Sequence, residues 1–308
     1  MRLVFAGTPD AAVPSLRLLA ASDHEIVAVV TRRDAPVGRK RVITPSPVAA
    51  AADELRIDTI RTDRLDADAT ARIAALEPDL GVIVAYGGLV REPLLSTPVH
   101  GWINLHFSLL PRWRGAAPVQ HSLIAGEAVT GAAVFQLVPA LDAGDVFAAR
   151  EYAVPDAATA GDVLRALSEE GALLLRDVVD AIAAGTARAT PQVGEPTLAP
   201  KLSDEDGRID WNQPCDAVLA RIRGVTPEPG AHTTVDGSRI KVLGASAAAA
   251  DSPRLEPGVL AAHGRAVLAG TGTDPVALGR VQPAGKSAME ASDWWRGRRD
   301  TSTARAGS

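Results

Sequence analysis

Short, unbroken runs of apolar residues alternate with amphipathic stretches through the first 185 residues of the chain. A continuous apolar run between turn residues predicts a strand buried on both faces, and a helical period of apolar residues predicts a helix packed against it. We therefore predict strands at 2–7, 25–30, 80–86, 101–107, 131–138 and 146–154, and helices at 8–22, 46–56, 117–127 and 161–185. This alternation indicates an α/β fold with a mostly parallel sheet that is covered by helices on both faces.

The pattern changes beyond that point. The next residues are rich in Pro, Thr and charged side chains, which is typical of a linker. After one helix at 215–224, short alternating segments separated by Asp-Gly and His-Gly turns predict a small β-barrel or sandwich. We expect two domains, at 1–189 and 208–308, joined by a linker at 190–207, and a tail that frays after Trp295.

The composition is that of a soluble globular protein, because 46% of the residues are apolar and 22% are charged. No apolar run approaches the ~20 residues needed to cross a bilayer, and we expect neither a signal peptide nor a membrane partner. Cys215 is the only cysteine, so no internal disulfide can form and a reducing cytoplasm is the expected location. One cysteine and six scattered histidines also argue against a structural zinc site, so we expect no metal.

Charge is unevenly distributed along the chain. The formal net charge is −5, yet the residues from Arg208 onward carry 13 Lys and Arg against 10 Asp and Glu. The densest basic stretch is residues 32–41, with five basic side chains and one acidic side chain. Pro36 and Gly38 oppose a helix there, and we predict a protruding loop of a kind that suits a phosphate backbone. A simple solvated loop is an equally good interpretation, so the charge permits a polyanionic partner without requiring one.

One apolar strand, within "WINLHFSLLPRWRGAAP" at 102–118, carries two polar side chains. Asn104 and His106 are two residues apart, so they project from the same face of the strand, near the end where open α/β sheets bind ligands. An Asn amide is a good donor to a developing oxyanion, and His is the common proton acceptor near neutral pH. A polar strand end with ordinary hydrogen bonds remains the alternative interpretation.

A second candidate is the turn "LDAGDV" at 141–146, which lies between two predicted strands. A carboxylate there, from Asp142 or Asp145, can reach a neighbouring loop and orient His106. Either aspartate can instead only cap the turn, which is the commoner role of Asp beside Gly. Spacing alone does not choose between these possibilities.

Taken together, several segments resemble the folate-dependent formyltransferases and, among them, the methionyl-tRNA formyltransferases. The shared core of the wider family is Asn-x-His-x-Ser-Leu-Leu-Pro, whereas "PRWRGAAP", the basic loop and the C-terminal part are more specific to the tRNA enzymes. The segments that carry the resemblance are "FAGTPD", "PVGRKRVITPSPV", "VIVAYGGLV", "INLHFSLLPRWRGAAPVQHSLIAGE", "LDAGDV", "TLAPKLSDEDGRIDW" and "VQPAGKSAM". They cover nearly the whole chain.

The resemblance implies a Rossmann-like catalytic domain at 1–189, a linker at 190–207 and an OB-like β-barrel at 208–308 that helps to hold tRNA. It also implies formyl transfer from 10-formyltetrahydrofolate to the amino group of methionyl initiator tRNA, which supports translation initiation. No metal is needed, because the formyl group is already activated on the folate nitrogen. We expect contact with the tRNA acceptor stem and a monomeric enzyme.

Matched position by position, the family's functional residues fall on three groups in this sequence. The catalytic group is Asn104, His106 and Asp142. The resemblance, and not the spacing, selects Asp142 over Asp145. The folate-binding group is Ser108, Leu109, Leu110 and Pro111. The tRNA-binding group lies in the loop at 32–45 and consists of Arg39, Lys40 and Arg41.

Two positions depart from the family pattern. Phe107 follows His106 where the family usually has a small residue, and a large ring there could narrow the pocket or shift the folate. Glu228 stands in "TPEPGAHT" where the family often has Trp. Its carboxylate could weaken tRNA contact or merely lie on a solvent-exposed edge.

The sequence disfavours three alternative functions. The basic loop and the C-terminal barrel disfavour a formyltransferase acting on a small amine, such as glycinamide ribonucleotide or a sugar nucleotide, because a small substrate needs neither. Intact Asn104, His106 and Asp142 disfavour a non-catalytic RNA-binding protein. A nicotinamide oxidoreductase is disfavoured because "FAGTPD" lacks the G-x-G-x-x-G fingerprint, so Gly7 and Pro9 there only shape a tight turn.

Overall fold

The computed structural model describes residues 1–38, 41–298 and 304–307. The chain divides into two compact units, and neither is a single continuous stretch of sequence. Unit 1 is Met1–Pro118, Thr130–Ala153 and Leu164–Ala199; unit 2 is Val119–Val129, Val154–Val163 and Pro200–Ser308.

Unit 1 contains a seven-stranded sheet. Its strands, with four short ones outside the sheet, are β1 (Arg2–Gly7), β2 (Glu25–Thr31), β3 (Ala35–Val37), β4 (Val42–Thr44), β5 (Thr59–Arg61), β6 (Leu80–Val84), β7 (Trp102–His106), β8 (Arg114–Gly115), β9 (Val129–Gln136), β10 (Val146–Ala153) and β11 (Leu198–Ala199). The order in the large sheet is β10-β9-β7-β6-β1-β2-β5. The five strands from β7 to β5 run parallel, and β9 joins β7 antiparallel.

Seven α-helices occur among the described residues: α1 (Val13–Ala20), α2 (Pro47–Leu55), α3 (Ala67–Ala74), α4 (Pro118–Ile124), α5 (Ala160–Ala183), α6 (Cys215–Gly224) and α7 (Ala291–Arg296). Ser46 caps α2, where its hydroxyl accepts a hydrogen bond from the backbone N–H of Ala49 at 3.0 Å. None of these helices combines the length and the apolar character that a membrane span requires.

Strand β7 is fixed in the middle of the sheet by one large side chain. Trp102 is fully buried and lies opposite Gly81 of β6, where a Cβ would be only 2.1 Å from the indole ring. The indole N–H donates to the carbonyl of Leu94 at 2.8 Å. A ring held on both sides sets the register of β7, and with it the position of the two polar side chains further along the strand.

The short elements are those that the sequence pattern did not predict. Strand β5 and helix α3 were missed, because three residues of strand and a polar two-turn helix give little periodic signal. The basic stretch was predicted as a loop, but β3 and β4 pair antiparallel across it, with Ala35 opposite Thr44. Helix α1 begins later than predicted, after a 3-10 turn at Asp10–Ala12.

Unit 2 is built on two four-stranded antiparallel sheets, in the orders β12-β13-β18-β19 and β14-β17-β16-β15. The strands are β12 (His232–Val235), β13 (Ser238–Val242), β14 (Ala245–Ala247), β15 (Leu260–His263), β16 (Ala266–Ala269), β17 (Val276–Leu278), β18 (Arg280–Pro283) and β19 (Met289–Glu290). Its core contains Trp211, Trp294 and Trp295. The predicted fold class, a mostly parallel Rossmann-like sheet followed by a β-domain, is confirmed.

The expectation of a frayed tail is wrong for residues 304–307. Ala306 bridges Val235 of β12, and Arg305 bridges Val259, both antiparallel. Ala304 and Ala306 are buried in the core of unit 2. These pairings join residues more than 40 positions apart, so the local sequence pattern carries no sign of them.

Candidate active site

Strand β7 presents Asn104 and His106 on one face of the sheet, as their spacing predicted. Asn104 pairs with Ile83 of β6 on one side and with Phe135 of β9 on the other, so it lies in the interior of the sheet. His106 is the last residue of the strand and is only 5% exposed. The rings of His106 and Phe135 pack edge to face, with their centroids 6.3 Å apart.

The hydrogen bond made by His106 shows which of its two ring nitrogens can accept a proton. The ring Nε2 lies 2.9 Å from the carbonyl oxygen of Trp113. A carbonyl only accepts hydrogen bonds, so Nε2 carries the proton of the neutral ring and the free lone pair is on Nδ1. Nδ1 lies 3.8 Å from Oδ2 of Asp142, longer than a hydrogen bond but close enough for a strong charge interaction once the ring is protonated.

Burial controls the charge of His106. Removal from water lowers the pKa of His106 below its ordinary value, while the Asp142 carboxylate and the Trp113 carbonyl act in the opposite direction and raise it. Since burial is the largest of these effects, the ring is neutral near pH 7. A neutral imidazole beside a carboxylate can accept a proton and then hold it as a stabilised cation.

The carboxylate that reaches His106 is that of Asp142. Its backbone has φ 44°, a left-handed conformation, and its Oδ2 accepts a hydrogen bond from the N–H of Gly115 at 2.7 Å. Asp145 is exposed, and its carbonyl accepts from the N–H of Gln136 at 2.9 Å. The left-handed turn therefore directs one aspartate inward and leaves the other in solvent.

Sequence reasoning missed two backbone groups of this site, the Trp113 carbonyl and the Gly115 amide. Gly115 has φ 129°, and a Cβ there would be 2.6 Å from the carbonyl oxygen of Ala199 in β11. Trp113 is held by Thr197, whose hydroxyl accepts from the Trp113 N–H at 2.8 Å. Backbone atoms leave no signature in side-chain identity, and the glycine in "RWRG" was the only available hint.

The four residues assigned to folate binding form the turn that follows Phe107, one residue beyond His106. Ser108 is fully buried, and its hydroxyl donates to the carbonyl of Arg112 at 2.6 Å. The Arg112 N–H in turn donates to the carbonyl of Leu109 at 3.1 Å. Leu110 is half-buried and Pro111 is buried. The Ser108 hydroxyl thus shapes the turn, and backbone and apolar side chains form the rest of it.

Asn104 carries an unsatisfied polar atom. Among the residues that the structure describes, its buried Oδ1 has no hydrogen-bond partner. Buried polar oxygens are rarely left unpaired in folded proteins because the missing hydrogen bond is costly. An unpaired amide oxygen two residues from His106 is therefore a position where a bound molecule would supply the donor.

Of the three residues assigned to tRNA binding, the structure describes only Arg41, which directly precedes β4. Arg39 and Lys40 are outside the described residues. Arg41 is exposed, and its N–H donates to the carbonyl of Gly38 at 3.1 Å. After it, Val42 and Ile43 are 58% and 63% exposed.

The sequence matches a known protein family along most of its length. The family model described as "Formyl transferase" matches residues 1–179, and that described as "Formyl transferase, C-terminal domain" matches residues 201–299. The chain belongs to the formyl transferase family. Among curated relatives of this formyl transferase, the methionyl-tRNA formyltransferase of Clavibacter sepedonicus is 67% identical over 297 residues, which are 96% of this chain and 97% of the relative. The methionyl-tRNA formyltransferase of Leifsonia xyli subsp. xyli is 60% identical over the same shares of both chains.

Solved structures share the fold of this formyl transferase at low sequence identity. The N-formyltransferase of Helicobacter canadensis, in complex with folinic acid and dTDP-3-aminofucose, has a TM-score of 0.68 and 14% identity, covering 91% of this chain and 98% of that one. The methionyl-tRNA formyltransferase of Clostridium thermocellum has a TM-score of 0.55 and 15% identity, covering 80% and 93%.

The two departures from the family pattern have different surroundings in this formyl transferase. Phe107 is buried, directly after His106. Glu228 is exposed, which agrees with the solvent-edge interpretation of its carboxylate.

Proposed function

We propose that this enzyme transfers a formyl group from 10-formyltetrahydrofolate to the amino group of methionyl initiator tRNA. The observation that carries the proposal is the buried His106–Asp142 pair beside Asn104, in a chain 67% identical to a methionyl-tRNA formyltransferase. A folate donor is supported by the folinic acid in the related N-formyltransferase structure. The enzyme acts as a monomer in the cytoplasm.

In the proposed reaction the methionine amine attacks the formyl carbon, and a new C–N bond forms. His106 accepts the amine proton at Nδ1, and the Asp142 carboxylate 3.8 Å away stabilises the resulting imidazolium. The bond from the formyl carbon to folate N10 then breaks, and N10 takes up a proton as it leaves. No electrons are gained or lost, so no redox partner is required.

Asn104 and the turn after β7 place the reacting groups. The attacking amine donates to the buried Oδ1 of Asn104, which supplies the hydrogen bond that this oxygen lacks. The NH₂ of the same amide then donates to the oxyanion that develops on the formyl group. Ser108, Leu109, Leu110 and Pro111 form the wall against which the folate lies. Because this turn begins at the residue after Phe107, a folate held by it lies beside His106.

The remaining parts of the chain hold the tRNA. Residues 1–189 carry the chemistry, residues 208–308 help to bind the acceptor, and residues 190–207 connect them. Arg39, Lys40 and Arg41 contact phosphates of the acceptor stem, where each cation displaces a counterion. Such contacts position the tRNA without reading its bases.

The direct test offers the enzyme 10-formyltetrahydrofolate with three amines in parallel: methionyl initiator tRNA, glycinamide ribonucleotide and dTDP-3-aminofucose. We expect formylation of the tRNA alone. Transfer only to a small amine would contradict tRNA as the acceptor but would leave formyl transfer as the reaction. Transfer to none of them would contradict the proposed function.

A further inference from the structure

Gln192 lies in the segment that the sequence predicted to be a linker, yet it is tied to the candidate active site. Its side-chain N–H groups donate to the carbonyls of Asp142 and Gly144, both at 2.8 Å. Its side-chain oxygen accepts from the guanidinium of Arg114, at 3.2 Å from Nε and 2.6 Å from Nη2. Both donors and the acceptor oxygen of the amide are therefore used.

The loop at residues 142–144, which Gln192 binds, is fixed from two sides. Asp142 has φ 44°, a left-handed conformation that is uncommon for residues other than Gly and that Asp tolerates better than most. On the other side of the loop, a Cβ at Gly144 would be 1.7 Å from the carbonyl oxygen of Gln136, at the end of β9. The loop is thus held between the sheet and the amide of Gln192.

The Gln192 amide is also linked, through Arg114, to the Gly115 N–H that hydrogen-bonds the Asp142 carboxylate. Arg114, which Gln192 binds through its oxygen, precedes Gly115, and the Gly115 N–H donates to Oδ2 of Asp142 at 2.7 Å. Gln192 therefore binds the backbone of the Asp142 loop directly, and it binds the side chain of the residue before Gly115. A change in either contact moves the carboxylate relative to His106.

We propose that Gln192 is a positioning residue, whose amide keeps the Asp142 carboxylate at its distance from His106. Gln192 does not touch the reacting groups; it acts through Asp142. The inference rests on the proposed function for its kinetic consequence, because a displaced carboxylate stabilises the imidazolium less. Its geometric consequence, a changed electrostatic environment of His106, is independent of any substrate.

Two substitutions distinguish the role of the Gln192 N–H donors from that of its acceptor oxygen. Gln192→Leu removes the donors and the acceptor with little change in volume. Gln192→Glu keeps an oxygen for Arg114 but removes the two donors to the Asp142 loop. Val193→Ala is the matched control, because Val193 is the next residue and is 88% exposed.

Three readouts are measured on the full-length protein. They are kcat and KM for formyl transfer to methionyl-tRNA, the folded fraction by circular dichroism, and the titration of His106 by NMR, assigned through the missing signal in His106→Gln. In both Gln192 variants we expect kcat to fall about 10- to 100-fold with KM within about twofold, as for a misplaced catalytic group. In Gln192→Leu, which adds no charge, we also expect His106 to titrate at lower pH, because the carboxylate that raises its pKa has moved away.

The outcomes separate this inference from the proposed function. If the parent enzyme formylates methionyl-tRNA while Gln192→Leu keeps its kcat and its His106 titration, the positioning role is overturned and the function stands. A parental kcat in Gln192→Glu also overturns it, because the donors would then be dispensable. A fall in kcat that only follows the folded fraction, with an unchanged His106 titration, assigns Gln192 a structural role alone. The NMR titration decides the geometric claim even if the parent enzyme transfers no formyl group.

Discussion

The end of β7 and the β3–β4 hairpin were both singled out by the sequence, but their surroundings differ. His106 is almost completely buried, and its ring and the Asp142 carboxylate are each held by a backbone group. The hairpin exposes Arg41, Val42 and Ile43 to solvent. Proton transfer benefits from a dry, fixed setting in which a pKa can be shifted, whereas phosphate contact requires cations that a large partner can reach.

This difference predicts different kinetic effects. Changes at the buried pair should lower the rate of the chemical step and leave tRNA affinity alone. Changes at the hairpin should weaken tRNA binding and leave the chemical step alone.

His106→Gln should have the largest effect. The Gln amide can still donate to the Trp113 carbonyl, so the fold is retained, but it cannot accept a proton. We expect kcat to fall by about 10²- to 10⁴-fold, the usual contribution of general acid–base catalysis. Single-turnover formyl transfer at saturating methionyl-tRNA measures this, with circular dichroism as the check on folding. A rate within a factor of three of the parent would remove His106 from the mechanism.

Asp142→Asn should have a smaller effect that depends on pH. Asn keeps an oxygen for the Gly115 N–H and loses the charge that raises the pKa of His106. His106 must be neutral to accept a proton, so activity rises with pH through its pKa. We expect that acid limb to move to lower pH, with a plateau about 10- to 100-fold below the parent because the imidazolium has lost its counter-charge.

The pH profile of kcat for Asp142→Asn is the measurement. An acid limb that stays in place or moves to higher pH would show that the Asp142 carboxylate does not act on His106. Asp145→Asn is the matched control, since Asp145 is exposed on the same loop. It should leave both the limb and the plateau unchanged.

Arg41→Ala should have the smallest effect. Losing one phosphate contact should raise KM for methionyl-tRNA by about 3- to 10-fold and reduce the slope of log affinity against log salt by about 1. The affinity for the folate donor should not change. Arg72→Ala, an exposed arginine on α3, is the charge-matched control. An equal loss in both variants would point to general electrostatic attraction rather than a contact at the hairpin.

The comparison also shows where sequence reasoning succeeds. The buried strands and the long helix α5 follow from local apolar patterns, and the shared face of Asn104 and His106 follows from the two-residue period of a strand. The choice between Asp142 and Asp145 could not come from spacing. It depends on which residue of the turn has the left-handed backbone conformation, and Asp142 has it.

The partners of the site were harder to predict because they are distant in sequence. Gln192 is 50 residues from the Asp142 carbonyl that it binds. Thr197 is 84 residues from Trp113. Both lie in a Pro-rich, aperiodic stretch that looks like a linker, and only the tertiary fold brings their hydrogen bonds to the site.

The most direct test of the account is single-turnover formyl transfer by His106→Gln and Arg41→Ala, each measured across a range of methionyl-tRNA concentrations up to saturation. The account predicts that Arg41→Ala regains the parental rate at saturation, whereas His106→Gln remains slow at every concentration. An Arg41→Ala rate that stays low at saturation, or a His106→Gln rate that recovers, would contradict the assignment of chemistry to the end of β7 and of tRNA contact to the hairpin.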